Sequence, residues 1–424
     1  LIRFRDVLKN RSFLLLWTGQ IISNFGDRLN QMALIALVYK KAPGSTIELA
    51  KLIFFIVIPV FVIGPIAGVY VDRWDRKRVM VISDVLRGIL VLSIPFFVLI
   101  FKNFIPIYIL VFLAFSITRF FLPSKMAIIP DIVPREMLLM ANTLSDTTRM
   151  IATFIGFALA GLIVERIGAI KGFYIDAVTY FISALFIANM VVKRMLSNFR
   201  EDILKTREAI KTAIRKSVWA DIKEGLMFII EHREMRFVIR TYFFLMAGIG
   251  AVSCSMIVFV QEAFGSVTRD FGILFMFLGL GALFGVMLYG RFGQRLEKEI
   301  VILSCLLSCG VFLTLFAVIA RFTQSAWPSG AFMFMLGFSA GPIEASLRTM
   351  VHEFIPQEAR GRIFSSLEAV IHLAFLVFMF AAALFAERFG RIWILLFFGM
   401  FFVAWSAKGI FDARAAKTRA GYTQ

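Results

Sequence analysis

Apolar residues in this chain fall in long runs separated by short polar stretches, and each run is long enough for the roughly 20 residues that a helix needs to cross a bilayer. The runs predict twelve spans, at 13–39, 48–71, 79–101, 104–124, 140–164, 168–191, 237–262, 271–290, 299–320, 328–347, 364–386 and 392–411. The first run is too long for a cleaved leader and is expected to stay in the protein. The longest connection, 192–236, leaves six spans before it and six after. The expected organisation is an N-terminal six-helix bundle (1–191), a linker (192–236) and a C-terminal six-helix bundle (237–424). Inside the linker Trp219, Ile222, Leu226, Ile229 and Ile230 recur at helical spacing among charged residues. That pattern predicts an amphipathic helix lying along the inner membrane surface. The expected fold class is an all-α membrane protein with two pseudo-symmetric bundles.

Composition agrees with the pattern. Of 424 residues, 60% are hydrophobic and 17% charged, with a mean hydropathy of +0.84; soluble chains run at about 45–50% and 25%. The formal charge of +18 would raise the question of nucleic acid in a soluble protein. Here it sorts by side: alternate connections hold 30 Lys and Arg against 8 on the other side. Basic loops stay on the inner side, so both termini are expected in the cytoplasm, the membrane is the cytoplasmic (inner) one, and nucleic-acid binding is not expected. Cys254, Cys305 and Cys309 all lie in apolar segments, where packing is the expected role. No P-loop, His-Glu-x-x-His or Gly-x-Ser-x-Gly occurs, and three scattered histidines make no metal site. Neither enzyme activity nor a cofactor is expected.

An ionised side chain at the bilayer centre costs roughly 2.5–3.5 kcal/mol on insertion scales, so polar residues inside spans carry the functional information. Span 1 has the clearest set. Gln20, Asn24, Asp27, Arg28 and Gln31 share one side of a helix that is otherwise mostly apolar. Such a stripe must line a water-filled cavity or a polar helix contact. Asp27, at mid-span, is the first candidate for a proton-coupling carboxyl; the alternative is an ion pair, with Arg28 or another helix, that only holds helices together. Asp146 of span 5 and Glu368 of span 11 are further candidates for coupling or for a gate network, and Asp176 of span 6 is a weaker one. Arg119 and Lys125 are candidates for meeting an anionic group of a substrate.

The two halves repeat. Gly64-Pro65-Ile66-Ala67-Gly68 and Gly281-Ala282-Leu283-Phe284-Gly285 lie 217 positions apart, and Val133-Pro134-Arg135-Glu136 and Ile355-Pro356-Gln357-Glu358 lie 222 apart. The second offset also sets Asp146 opposite Glu368. Nearly equal offsets are the trace of a duplicated transporter fold.

Gly68-Val69-Tyr70-Val71-Asp72-Arg73-Trp74-Asp75-Arg76-Lys77-Arg78 resembles the motif between helices 2 and 3 of the major facilitator superfamily. Within it the chain resembles the macrolide-efflux type of exporter over most of its length, through Leu16-Trp17-Thr18-Gly19-Gln20, Pro130-Asp131-Ile132-Val133-Pro134, Arg360-Gly361-Arg362-Ile363-Phe364-Ser365 and Ala383 to Gly390. A less specific resemblance, to bacterial lysophospholipid transporters, rests on Phe25-Gly26-Asp27, Pro123-Ser124-Lys125 and Asn142 to Asp146. The resemblance implies alternating access and outward movement of an amphipathic small molecule, or a lysolipid, with protons and membrane lipids as partners of a monomer. It also implies a lock built from Gly68, Asp72, Arg73 and Arg76, with Asp131 and Glu136 as partners. One departure stands out: where such exporters carry Gly-Pro-x-x-Gly-Gly in helix 5, this chain has Gly156-Phe157-Ala158-Leu159-Ala160-Gly161. A receptor or scaffold that transports nothing is the remaining class, and it would have a centre without buried charge.

Overall fold

The computed structural model describes residues 4–64, 67, 70, 74–101, 103–192, 233–293, 296–354 and 360–421. After a five-residue helix, Phe4–Leu8, twelve long helices follow among the described residues. They are α1 (Arg11–Lys41), α2 (Thr46–Val62), α3 (Arg76–Ile100), α4 (Ile105–Ile132), α5 (Leu138–Ile167), α6 (Ala169–Ala188), α7 (Arg233–Phe264), α8 (Arg269–Phe292), α9 (Lys298–Thr323), α10 (Ala326–Phe354), α11 (Arg360–Phe389) and α12 (Arg391–Gly421). No strand occurs among the described residues. Each expected span falls on one helix except 48–71, of which α2 covers only 48–62. Ten of the helices are long and apolar enough to cross a membrane. Of the other two, α1 carries the polar stripe, and α2 is described over only 17 residues. The expected linker helix lies outside the described residues.

One boundary differs in a way that matters. The apolar run suggested that span 4 stops at 124, yet α4 continues to Ile132 through Pro123 and Pro130. A helix tolerates proline when the carbonyls it frees find other partners. Pro123 and Pro130 free the carbonyls of Arg119 and Met126, and the adjacent Phe120 and Ala127 carbonyls accept side-chain hydrogen bonds from Ser124 Oγ at 2.8 Å and Arg76 at 3.0 Å. Lys125 and Asp131 therefore sit on a rigid helix rather than in a loop.

Two compact units divide the helices, α1–α6 and α7–α12, and residues 42–50 group with the second. There Ser45 Oγ and the Ile47 amide both donate to Glu387, at 2.9 and 3.0 Å. The same neighbours recur in each unit. In the first, α1 packs on α5 and α6, and α3 on α4 and α6; in the second, α7 packs on α11 and α12, and α9 on α10 and α12. The duplication read from the offsets is thus a duplication of packing.

Close approach comes from small residues. A methyl added to Gly281 or Gly285 of α8 would stand 2.0 or 2.1 Å from the Phe334 or Phe338 carbonyl of α10, and one on Gly337 would stand 1.9 Å from the Leu278 carbonyl. Glycines on both faces let the two backbones touch, the usual solution where lipid removes the hydrophobic drive to associate. In the first unit the start of α1 is pinned. Asn10 Oδ1 accepts the Ser12 and Phe13 amides at 3.1 Å, which caps the helix. Its amide nitrogen donates to the Ile132 carbonyl at 2.7 Å, and Ser12 Oγ donates to the Val191 carbonyl at 2.8 Å. The ends of α1, α4 and α6 are held together, with Phe13, Met80, Ile128 and Ile187 buried beneath them.

Candidate functional site

The polar stripe of α1 separates into three directions. Toward α6, Asp27 accepts a short hydrogen bond from the Tyr180 hydroxyl. That contact depends on Gly26, where an added methyl would stand 1.9 Å from Thr179 Oγ1 and 2.4 Å from Asp176 Oδ1. Without a side chain there, α6 lays its polar face of Asp176, Thr179 and Tyr180 directly on the backbone of α1. Toward α5, Arg28 donates to Gln31 at 3.0 Å and lies 5.0 Å over the Phe157 ring. Neighbours on a helix point about 100° apart, so Asp27 and Arg28 engage different helices. Gly156, at the altered exporter motif, leaves room for the Arg28 stem, 3.0 Å from where its methyl would be.

Beneath Asp27 lies a charge pair that was not singled out from the sequence. Arg87 and Asp84 of α3, one turn apart, form a short ion pair with side chains 4% and 0% exposed. The Arg87 guanidinium is sandwiched between Phe121 of α4, at 4.4 Å, and Tyr180 of α6, at 4.5 Å. Tyr180 therefore presents its hydroxyl to Asp27 and its ring face to Arg87. Asp176 is fully buried. The signal for this cluster was present, as opposite charges three positions apart in an apolar run (Asp84, Arg87) and an acid four before a tyrosine in another (Asp176, Tyr180).

The third direction opens a narrow cleft, with room for about one water molecule, lined by Leu16, Trp17, Gln20, Ile21, Asn24, Lys125, Ser145 and Thr148. It joins α1, α4 and α5. Trp17 Nε1 donates to Thr148 at 3.0 Å, fixing one wall. The Gln20 amide nitrogen has no partner and remains a donor toward a guest. Lys125 makes no ion pair among the described residues. The cleft thus combines an indole, two side-chain amides, hydroxyls and one cation.

The remaining expected residues lie elsewhere. Arg119 is half-buried, its Nε without a partner, and does not line the cleft. Asp146 and Arg149 form an open pair at 3.5 Å on α5, with side chains 70% and 51% exposed. On α11 Glu368 is exposed, its carboxylate 3.9 Å from His372. Arg76 meets Asp131 at 2.7 Å, joining the start of α3 to the end of α4, and Asp75 caps α3 through the Arg78 amide at 3.0 Å. Glu136 is exposed on a 3-10 turn, Arg135–Met137. Gly68, Asp72 and Arg73 lie outside the described residues.

The sequence pattern of the Major Facilitator Superfamily matches residues 16–364 and again 238–420. Macrolide efflux protein A of Streptococcus pyogenes is 25% identical over 408 residues, 91% of this chain and 92% of that one. The multidrug efflux pump Tap of Mycolicibacterium fortuitum is 22% identical over 380 residues, 86% and 87% of the two chains. Among solved structures, a bacterial homologue of the iron transporter ferroportin in its inward-facing state superposes with a TM-score of 0.70 at 15% identity, over 95% of this chain and 99% of that one, a likeness of fold. Repeated packing, buried charge and a family pattern covering nearly the whole chain converge: this is a multi-pass membrane transporter, not an enzyme, and it belongs to the major facilitator superfamily.

Proposed function

We propose that the chain moves an amphipathic or lipophilic small molecule outward across the inner membrane, in exchange for protons, by alternating access of its two six-helix halves. Relatives named as efflux proteins support the direction. The observation that carries the coupling is one of spacing: Asp27 lies one helical turn beyond Asn24 of the cleft. Substrate contact and protonation then act on one rigid helix, so filling the cleft alters the seating of Asp27 against Tyr180.

A second reading, a lysophospholipid as the transported molecule, is favoured by the cationic Lys125 in the cleft. Arg76 and Asp131 belong in this account to a lock at one end of the first bundle. Asp146 and Glu368, equivalent in the two halves and exposed, fit a gate better than a coupling site. With basic connections inside, both termini face the cytoplasm, and the protein works as a monomer. The test is a panel of cationic drugs, macrolides and lysophospholipids in proteoliposomes, with and without a proton gradient. Gradient-dependent movement of a drug or macrolide is expected; movement of lysophospholipids alone selects the second reading. If none moves and no gradient dissipates, both fail.

A further inference from the structure

Around Tyr180 three carboxyls, Asp27, Asp84 and Asp176, share the single guanidinium of Arg87. Arg87 is committed to Asp84, and Asp27 has the Tyr180 hydroxyl. Asp176 is left with no cation. It is 0% exposed, and among the described residues its Oδ2 has no hydrogen-bond partner. Its Oδ1 lies 3.3 Å from Thr179 Oγ1, but the single hydrogen of that hydroxyl goes to the Asp176 main-chain carbonyl, 2.7 Å away. A bare carboxylate here would be buried with only the neutral Asn30 amide to donate to it, a cost of several kcal/mol. A proton on Oδ1 resolves both difficulties, because the carboxyl then donates into the free lone pair of Thr179 Oγ1.

We infer that Asp176 carries a proton inside the first bundle and forms with Asp27 a two-carboxyl proton-binding site across the α1–α6 interface at Gly26. The inference rests on the coupling role proposed for Asp27 and adds a second member to that site. The groups facing Asp176 are Asp27 and Asn30 from α1, Arg87 from α3, and Thr179 and Tyr180 from its own helix. Asn30 is neutral and Arg87 is shared with Asp84, so the proton is the charge-balancing partner available to Asp176. Two carboxyls that share an apolar interface lose and gain protons as a pair. A proton arriving at Asp27 thus enters a site that already holds one.

The experiment is infrared difference spectroscopy of the purified full-length protein without substrate, near neutral pH, following the carbonyl stretch of a protonated carboxylic acid in H2O and D2O. The expected result is a protonated-carboxyl band in the wild type that is lost in Asp176→Asn, retained in Asp84→Asn, and shifted in Asp27→Asn. Thr179→Val, which removes only the hydroxyl, is expected to keep the band and raise its frequency; it serves also if Asp176→Asn fails to fold. A wild type without the band, or a band untouched by both Asp176→Asn and Thr179→Val, overturns the inference. So does a band that Asp27→Asn leaves unmoved, since the two acids would then not share a site. No transport is measured, so failure here is separate from failure of proton-coupled export.

Discussion

Among the described residues Arg87 is the only cation that is buried. Its placement between two aromatic faces replaces part of the hydration it gives up, and Asp84 supplies the opposing charge. Removing one member of such a pair leaves the other uncompensated. Arg87→Leu is expected to cost about 3–5 kcal/mol of stability, measured by thermal unfolding in detergent. The double variant Asp84→Leu with Arg87→Leu is expected to recover much of that loss. Equal losses in single and double variants would show that the two side chains do not act as a pair. Lys125 poses a different question, because the proposed function gives it a guest to meet rather than a helix to hold. Lys125→Gln should weaken binding of a fluorescent anionic lysolipid about tenfold, about 1.4 kcal/mol, leave a zwitterionic analogue unchanged, and be rescued by Lys125→Arg. Equal effects on both probes would exclude a charge contact.

At the scale of elements, the glycine faces set which helices touch at backbone distance. Gly337→Ala puts a methyl 1.9 Å from a main-chain oxygen that cannot move away. An expected loss of about 1–3 kcal/mol follows. The control is Gly290→Ala on α8, whose added methyl meets nothing within 4 Å and should be neutral or slightly stabilising. Thermal unfolding of the two variants checks this, and equal effects would contradict the packing described. Elements were also where sequence reading worked best. Apolar run length places every long helix because lipid demands a continuous apolar surface, whatever the packing partners. It fell short at the end of α4, which runs on to Ile132 past the apolar run that ends at 124. Among residues, the stripe on α1 was legible because mid-span charge is rare. Its partition among α4, α5 and α6 was not, since helical spacing says which side a residue takes but not which neighbour waits there. Asp84 and Arg87 escaped notice because two opposite charges one turn apart look like a self-contained pair until Tyr180 joins them to Asp27.

For the whole molecule, two bundles with the same internal pairings give the proposed alternating access a symmetric basis, and the asymmetry of charge predicts an orientation with both termini inside. Single cysteines added at either terminus should be shielded from an impermeant thiol reagent in intact cells and react after permeabilisation. Labelling of intact cells would invert the topology. The central claim is that Asp27 links proton movement to substrate movement. In proteoliposomes loaded with a substrate found by the panel, an imposed proton gradient should drive uphill transport by the wild type, while Asp27→Asn, equally folded in detergent, shows none. Uphill transport by Asp27→Asn at the wild-type rate would contradict the account.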